Sequence, residues 1–179
     1  TRRKDGSGIR FDDNACVILP ATKTRKMHTS RRDAFKAINT TPIARVFYRE
    51  RKIEYLQKEY SRADTTDKKK EKKAFRVMDG FEEKIGLLKS HPHMHSEEIL
   101  FYLEKKFKGL VIEGTGLGHM PIDSKENPRN YEALKKLIAS GCIVVMTSQC
   151  LYGRVHGQVY TNLRRLSQIG VFFVEDMLP

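Results

Sequence analysis

The chain has 179 residues, enough for one ordinary domain or one domain and part of another. Thirty-four lysines and arginines stand against 22 acidic residues; the net charge of +12 suits either a polyanionic partner or a solvated lysine-rich surface. The three cysteines (Cys16, Cys142, Cys150) form no C-x-x-C pair, which argues against a disulfide framework. No apolar run is long enough to cross a membrane, and no signal-peptide pattern is visible. The expected compartment is therefore the cytoplasm, with no membrane partner. The absence of tryptophan, and of any basic strand interleaved with aromatics, excludes the usual RNA-stacking platform. A first residue Thr1 and a last residue Pro179 just after a strand-like run read as a piece of a longer protein.

Residues 1–14 are polar and basic, with Asp12-Asp13-Asn14 as a turn before an expected strand, Ala15 to Leu19. Ser30 is placed to cap a short helix from Asp33 to Ile38, with Asp33 in the capping-box position, and Asn39 to Pro42 stops it. Ile43 to Tyr48 alternates as a half-buried strand does. From Arg51 to Lys73 charge dominates, and five of the six residues from Lys68 to Lys73 are lysine, so this stretch reads as a linker. The expected organisation is the end of one domain over 1–48, a charged linker over 49–79, and a second domain over 80–179.

The second half repeats one arrangement three times: an amphipathic stretch, a glycine (Gly109, Gly141, Gly170), then a short apolar run. Each glycine reads as the left-handed stop of a helix. Expected strands fall at about 84–88, 110–113, 142–146 and 171–174. Between them, Ser96 caps a helix with Glu97 and Glu98 in its first turn and with Ile99, Leu100, Leu103 and Phe107 on one face. Asn127-Pro128 starts a second helix, running to about Ser140 with Tyr131, Leu134 and Ile138 inward. A third covers roughly Gly157 to Ile169 with Tyr160, Leu163, Leu166 and Ile169 inward. Alternation of strand and helix predicts an α/β fold with a small, doubly wound parallel sheet.

Ligands of such sheets bind beyond the carboxyl ends of the strands, which singles out Glu113 to His119 and Thr147 to Cys150. The spacing Gly114-x-Gly116-x-Gly118 is not a dinucleotide fingerprint, because a proline and a polar connection follow it rather than a helix. Either the glycines bring backbone close to a ligand, with Thr115 and His119 presenting polar atoms, or the loop is a plain turn. Ser148 and Gln149 read as binding residues. Cys150 with His119 or His156 would make a nucleophile and base, but no third orienting residue is evident. His91, His93 and His95 alternate as zinc ligands could, yet Pro92 favours an exposed turn. The candidate substrate-binding set is thus Thr115, His119, Ser148 and Gln149, with no catalytic or metal-ligating residue.

Lys26 to Phe35, Gly109 to His119, Met146 to Cys150, Tyr152 to Tyr160 and Asn162 to Leu166 closely resemble the archaeal glutamyl-tRNA(Gln) amidotransferase D-subunit family, within the L-asparaginase/glutaminase superfamily. The resemblance spans nearly the whole chain, though His93 stands where the family usually has glycine. It implies a C-terminal small parallel-sheet domain of the asparaginase-like fold, incomplete at its end, preceded by the tail of the N-terminal α/β domain. It also implies release of ammonia from glutamine or asparagine, and a homodimer through the asparaginase-like domains. The amidotransferase's E-subunit, as partner, would use ATP and magnesium to convert Glu-tRNA(Gln) to Gln-tRNA(Gln), with no cofactor on this chain. The family's nucleophilic threonines, aspartate and lysine sit in motifs absent from this sequence, so the chain is expected to be inactive alone. Leu117 and His119 replace the asparagines that secreted asparaginases carry in the glycine loop. The rival readings are a cytoplasmic asparaginase acting on the free amino acid and a non-catalytic basic α/β module.

Overall fold

The computed structural model describes residues 15–58, 77–122 and 128–179. The turn at 12–14, the lysine-rich stretch at 62–73 and Asn127 lie outside them. The chain divides into two compact units, Thr1–Ala74 and Phe75–Pro179.

The described part of the first unit is built from antiparallel strands. β1 (Ala15–Ile18), β4 (Ala44–Phe47) and β5 (Lys52–Tyr55) form one sheet in the order β1-β4-β5, and β2 (Thr24–Lys26) pairs with β3 (Phe35–Ala37). The helix expected from Asp33 to Ile38 is therefore a strand. Two local facts explain it. Asp33 accepts two hydrogen bonds from the Arg31 guanidinium, at 2.9 and 2.7 Å, in place of capping a helix, and that contact holds its carboxyl below the usual range. The hairpin turn is closed instead by His28, whose Nδ1 accepts the N–H groups of Ser30 and Arg31. The linker expected from residue 49 also begins later. β5 lies inside the charged stretch, in register with β4, and its Glu54 sits 3.7 Å from the Arg45 guanidinium across the pair.

The second unit is one four-stranded parallel sheet of β6 (Ile85–Lys89), β7 (Gly109–Gly114), β8 (Ile143–Ser148) and β9 (Phe172–Phe173), in that spatial order. Helices α1 (Ser96–Glu104), α2 (Asn130–Ala139) and α3 (Thr161–Gln168) form the crossovers. The four strands and three helices fall where the apolar periodicity puts them. Their ends are corrected in detail. The cap of α1 is His95, whose backbone N–H donates to Glu98 at 2.8 Å. α2 begins at Asn130 and α3 at Thr161, later than the sequence suggests. Gly141 and Gly170 do take positive φ (91° and 102°), but α1 stops on Lys106 (φ 56°), where the N–H of Phe107 returns to the Tyr102 carbonyl at 2.9 Å. Gly109 is not a left-handed stop; it opens β7, paired with Ile85 on one side and Ile143 on the other.

The sheet is not doubly wound. Its strand order never reverses, so every right-handed crossover falls on the same side. On that side Leu88, Leu110, Ile112, Val144 and Met146 pack with Ile99 of α1, Leu134 and Leu137 of α2 and Leu166 of α3 into one buried core. Cys142 belongs to this core, and burial pushes its thiol pKa up, as suits a small hydrophobe. The opposite face carries Leu87, Val111, Val145 and Phe172 in one cross-strand row, with Ile85 and Ile143 beside it. Leu87, Ile143 and Phe172 are each about 60% exposed.

Candidate functional site

β7 and β8 run side by side and end in register, with Gly114 opposite Ser148. This brings the two candidate loops together at the carboxyl edge, as expected. The glycine loop is a tight hairpin: Thr115 and His119 exchange backbone hydrogen bonds of 2.9 Å each way, and the Gly118 N–H donates to the Thr115 carbonyl at 3.0 Å. Gly116 (φ 51°) and Gly118 (φ 104°) supply the left-handed backbone that the reversal requires. Two of the three glycines are also fixed by packing within the chain. A Cβ on Gly114 would come 2.7 Å from the backbone of Gly118, and one on Gly118 would come 2.9 Å from both Met146 and Phe173. Only Gly116 faces open space. The glycines thus serve mainly to fold the hairpin down onto its own sheet.

The end of β8 and the residue after it hold the hairpin in place. The Ser148 hydroxyl donates to the Gly116 carbonyl at 2.7 Å and accepts the Cys150 N–H at 3.0 Å. The Gln149 N–H donates to the Gly114 carbonyl at 2.9 Å. Its side-chain amide donates to the carbonyls of Ser90 (2.6 Å) and Glu113 (2.8 Å), joining the ends of β6 and β7. Both amide hydrogens are committed. Of the four residues singled out by sequence, Ser148 and Gln149 therefore act as braces, while Thr115 and His119 stand on the hairpin they brace.

Thr115 is exposed and its hydroxyl makes only a 3.5 Å contact with the His119 carbonyl. The His119 ring is half-buried against Tyr160, with centroids 5.2 Å apart and planes tilted by 51°. Tyr160, expected to face inward, is instead 55% exposed at the cap of α3. Helical spacing hid it, because the helix starts after it. Next to it, the Asn162 side-chain amide donates to the Met120 carbonyl at 3.1 Å, fixing the start of α3 to the hairpin's exit.

The other candidates are drawn elsewhere. Cys150 is exposed, and the two imidazoles proposed as its base have other partners: His119 stacks on Tyr160, and His156 Nδ1 accepts the Gln158 N–H at 3.2 Å. His91 Nε2 lies 3.3 Å from Glu98, whose other oxygen takes the His95 N–H, so two of the three alternating histidines organise the start of α1. No described helix is long and apolar enough to cross a membrane.

This geometry has relatives. Residues 84–179 match the glutaminase/asparaginase C-terminal domain family, and residues 1–61 match the asparaginase N-terminal family. The chain is 46% identical over 167 residues to the D-subunit of glutamyl-tRNA(Gln) amidotransferase from Thermococcus kodakarensis, covering 93% of this chain and 35% of that protein. It is 41% identical over 170 residues to the corresponding D-subunit from Methanopyrus kandleri, covering 93% and 34%. Among solved structures, L-asparaginase I of Vibrio cholerae superposes with a TM-score of 0.72 at 25% identity, covering 94% of this chain and 46% of that one. The thermostable L-asparaginase of Thermococcus kodakarensis gives 0.66 at 24%, covering 90% and 44%, and so speaks to the fold alone. The chain spans about a third of the length of the curated relatives it matches.

Proposed function

Because the chain belongs to the glutaminase/asparaginase family, we propose that it is part of the glutamine-hydrolysing, ammonia-supplying component of a tRNA-dependent amidotransferase that converts Glu-tRNA(Gln) to Gln-tRNA(Gln). The observation that carries this reading is the difference in identity. Relatives named as the amidotransferase D-subunit match at 40–46% over 93% of the chain, whereas the asparaginases it superposes on match at 24–25%. In this reading the braced hairpin presents Thr115 and His119 to glutamine held by the threonine-bearing part of the fold, across a homodimer boundary. The E-subunit of the amidotransferase takes the ammonia and uses ATP and magnesium on tRNA(Gln), and the present chain binds neither.

The test is enzymatic. The complete polypeptide containing these residues is purified with its E-subunit and assayed for ammonia release and for Gln-tRNA(Gln) formation. Amide transfer that depends on both proteins and on misacylated tRNA supports the proposal. Efficient asparagine hydrolysis indifferent to tRNA and to the E-subunit would replace it with the free-amino-acid asparaginase. The 179-residue chain alone is expected to release no ammonia, because the threonine motifs are not in it.

A further inference from the structure

Beside the hairpin, the segment after Gly153 and the end of β9 border an open surface depression of about 170 Å³ that the proposed function does not use. Its polar lining is Arg154, His156, Gln158 and Glu175, and its apolar side is Gly157 and Phe173. The chain keeps Gly157 small where a Cβ would come 2.8 Å from the Phe173 ring, so the ring lies flush on backbone. Opposite charges face each other without closing. The Arg154 guanidinium and the Glu175 carboxylate are 3.9 Å apart and 62% and 69% exposed, too far for a hydrogen bond. An exposed pair of this kind contributes little by itself, so both groups remain available.

Two further features keep the charges in place. Glu175 has φ 53°, a left-handed backbone uncommon for a side-chain-bearing residue, and its carbonyl is anchored by the Val155 N–H at 2.9 Å. The Gln158 N–H donates to His156 Nδ1, so the neutral ring carries its proton on Nε2 and has one donor left.

We propose that this depression binds the zwitterionic head of a small α-amino acid, with its carboxylate on Arg154 and His156, its ammonium on Glu175 and its first methylenes against Phe173. Charge decides the class. A simple anion meets Glu175 and a simple cation meets Arg154, whereas adjacent opposite charges satisfy both. The depression has room for the head group and first methylenes, and the rest of the side chain extends toward solvent. The site is separate from Thr115 and His119 but adjoins their hairpin: the His156 N–H donates to the Leu117 carbonyl at 3.0 Å, and Phe173 also bounds Gly118. It stands or falls on binding alone, independently of the amidotransferase reading.

The 179-residue chain, labelled with ¹⁵N, is titrated with L-glutamine and with L-asparagine, and then with two analogues of glutamine. Glutaramate lacks the ammonium and 4-aminobutanamide lacks the carboxylate. Saturable shifts are expected at Gly157, Phe173 and Glu175, with each analogue about ten-fold weaker or worse, the usual result of losing one charged contact. Arg154→Gln and Glu175→Gln should each weaken binding about ten-fold while leaving the melting curve unchanged, since both side chains are exposed. Absence of saturable binding overturns the site. So do equal binding of either analogue, indifference to both substitutions, or shifts confined to Thr115–His119.

Discussion

Thr115 to His119 and Thr147 to Cys150 leave neighbouring strands in register, yet their polar atoms go to different places. At the end of β8 and just beyond it, the Thr147 hydroxyl donates to the Ile112 carbonyl at 3.1 Å, Ser148 takes Gly116, and Gln149 takes Ser90 and Glu113. All of these are backbone acceptors in or next to β6 and β7; those of Ile112, Ser90 and Glu113 are shielded from solvent, where a carbonyl without a donor costs free energy. After β7, by contrast, the backbone pairs with itself, leaving Thr115 exposed and His119 half-buried against Tyr160. A polar residue at a strand end is therefore a ligand group only if the strand ends themselves do not need it. On this edge one loop supplies that need and the other is freed by it.

Four substitutions sharpen or break this division, each measured by chemical denaturation of the 179-residue chain. The largest effect belongs to Gly118→Ala, which forces a side chain onto a backbone at φ 104° and against Met146 and Phe173. We expect a loss of about 2–4 kcal/mol, combining strain with overpacking. A loss below about 0.5 kcal/mol, the scale of an ordinary surface change, would mean the hairpin is not held down as described.

Next is Gln149→Leu. The Ser90 carbonyl loses the side-chain donor that reaches it, while the Glu113 carbonyl keeps the Ser90 N–H at 2.9 Å. One orphaned, part-buried acceptor costs about 2 kcal/mol. If stability were unchanged and only ligand binding suffered, Gln149 would be a binding residue and the contrast between the loops would fail.

How much of this is legible in the sequence depends on where the hydrogen-bond partner lies. The second unit's strands are readable because Leu110-Val111-Ile112 and Ile143 to Met146 are apolar whatever they pair with. The strand at Phe35–Ala37 is not, because its partner, Thr24–Lys26, lies across a turn and the local signals at Ser30 and Asp33 mimic a helix start. β5 hides in a charged run, although Lys52-Ile53-Glu54-Tyr55 does alternate. The handedness rule applies to the sheet from sequence alone, but its strand order does not follow from it, and order alone decides whether helices cover one face or two. At the candidate site, residue type singles out two loops that the structure does bring together at one sheet edge. It does not tell that Ser148 and Gln149 spend their donors on carbonyls, which every residue possesses and no sequence displays.

The third substitution, Ser148→Ala, removes the brace to Gly116 and the acceptor for the Cys150 N–H. Both groups are exposed, so water replaces the hydroxyl and the expected loss is about 1 kcal/mol or less. The hairpin should loosen locally, seen as faster hydrogen exchange at the Gly118 N–H with the strand amides of β7 unaffected. Equal acceleration throughout β7 would show that the hydroxyl supports the sheet rather than the loop.

The smallest structural effect, and the one that tests presentation directly, is His119→Ala. The hairpin's hydrogen bonds through residue 119 are made by its backbone, and the ring touches Tyr160, which is itself exposed. Removing the ring therefore creates no buried cavity and orphans no buried polar group, and the denaturation midpoint should stay within the range of ordinary surface changes, about 0.5 kcal/mol. In the complete protein the consequence is different if this imidazole meets glutamine. A lost polar contact to substrate lowers kcat/KM by roughly ten- to a hundred-fold. The pairing of the two measurements is what discriminates. A large kinetic loss at unchanged stability assigns His119 to the substrate. Wild-type kinetics at unchanged stability makes the ring a bystander and leaves Thr115 as the hairpin's contribution. A fall in stability with either result would place His119 among the braces, beside Ser148 and Gln149, and erase the distinction between the two loops.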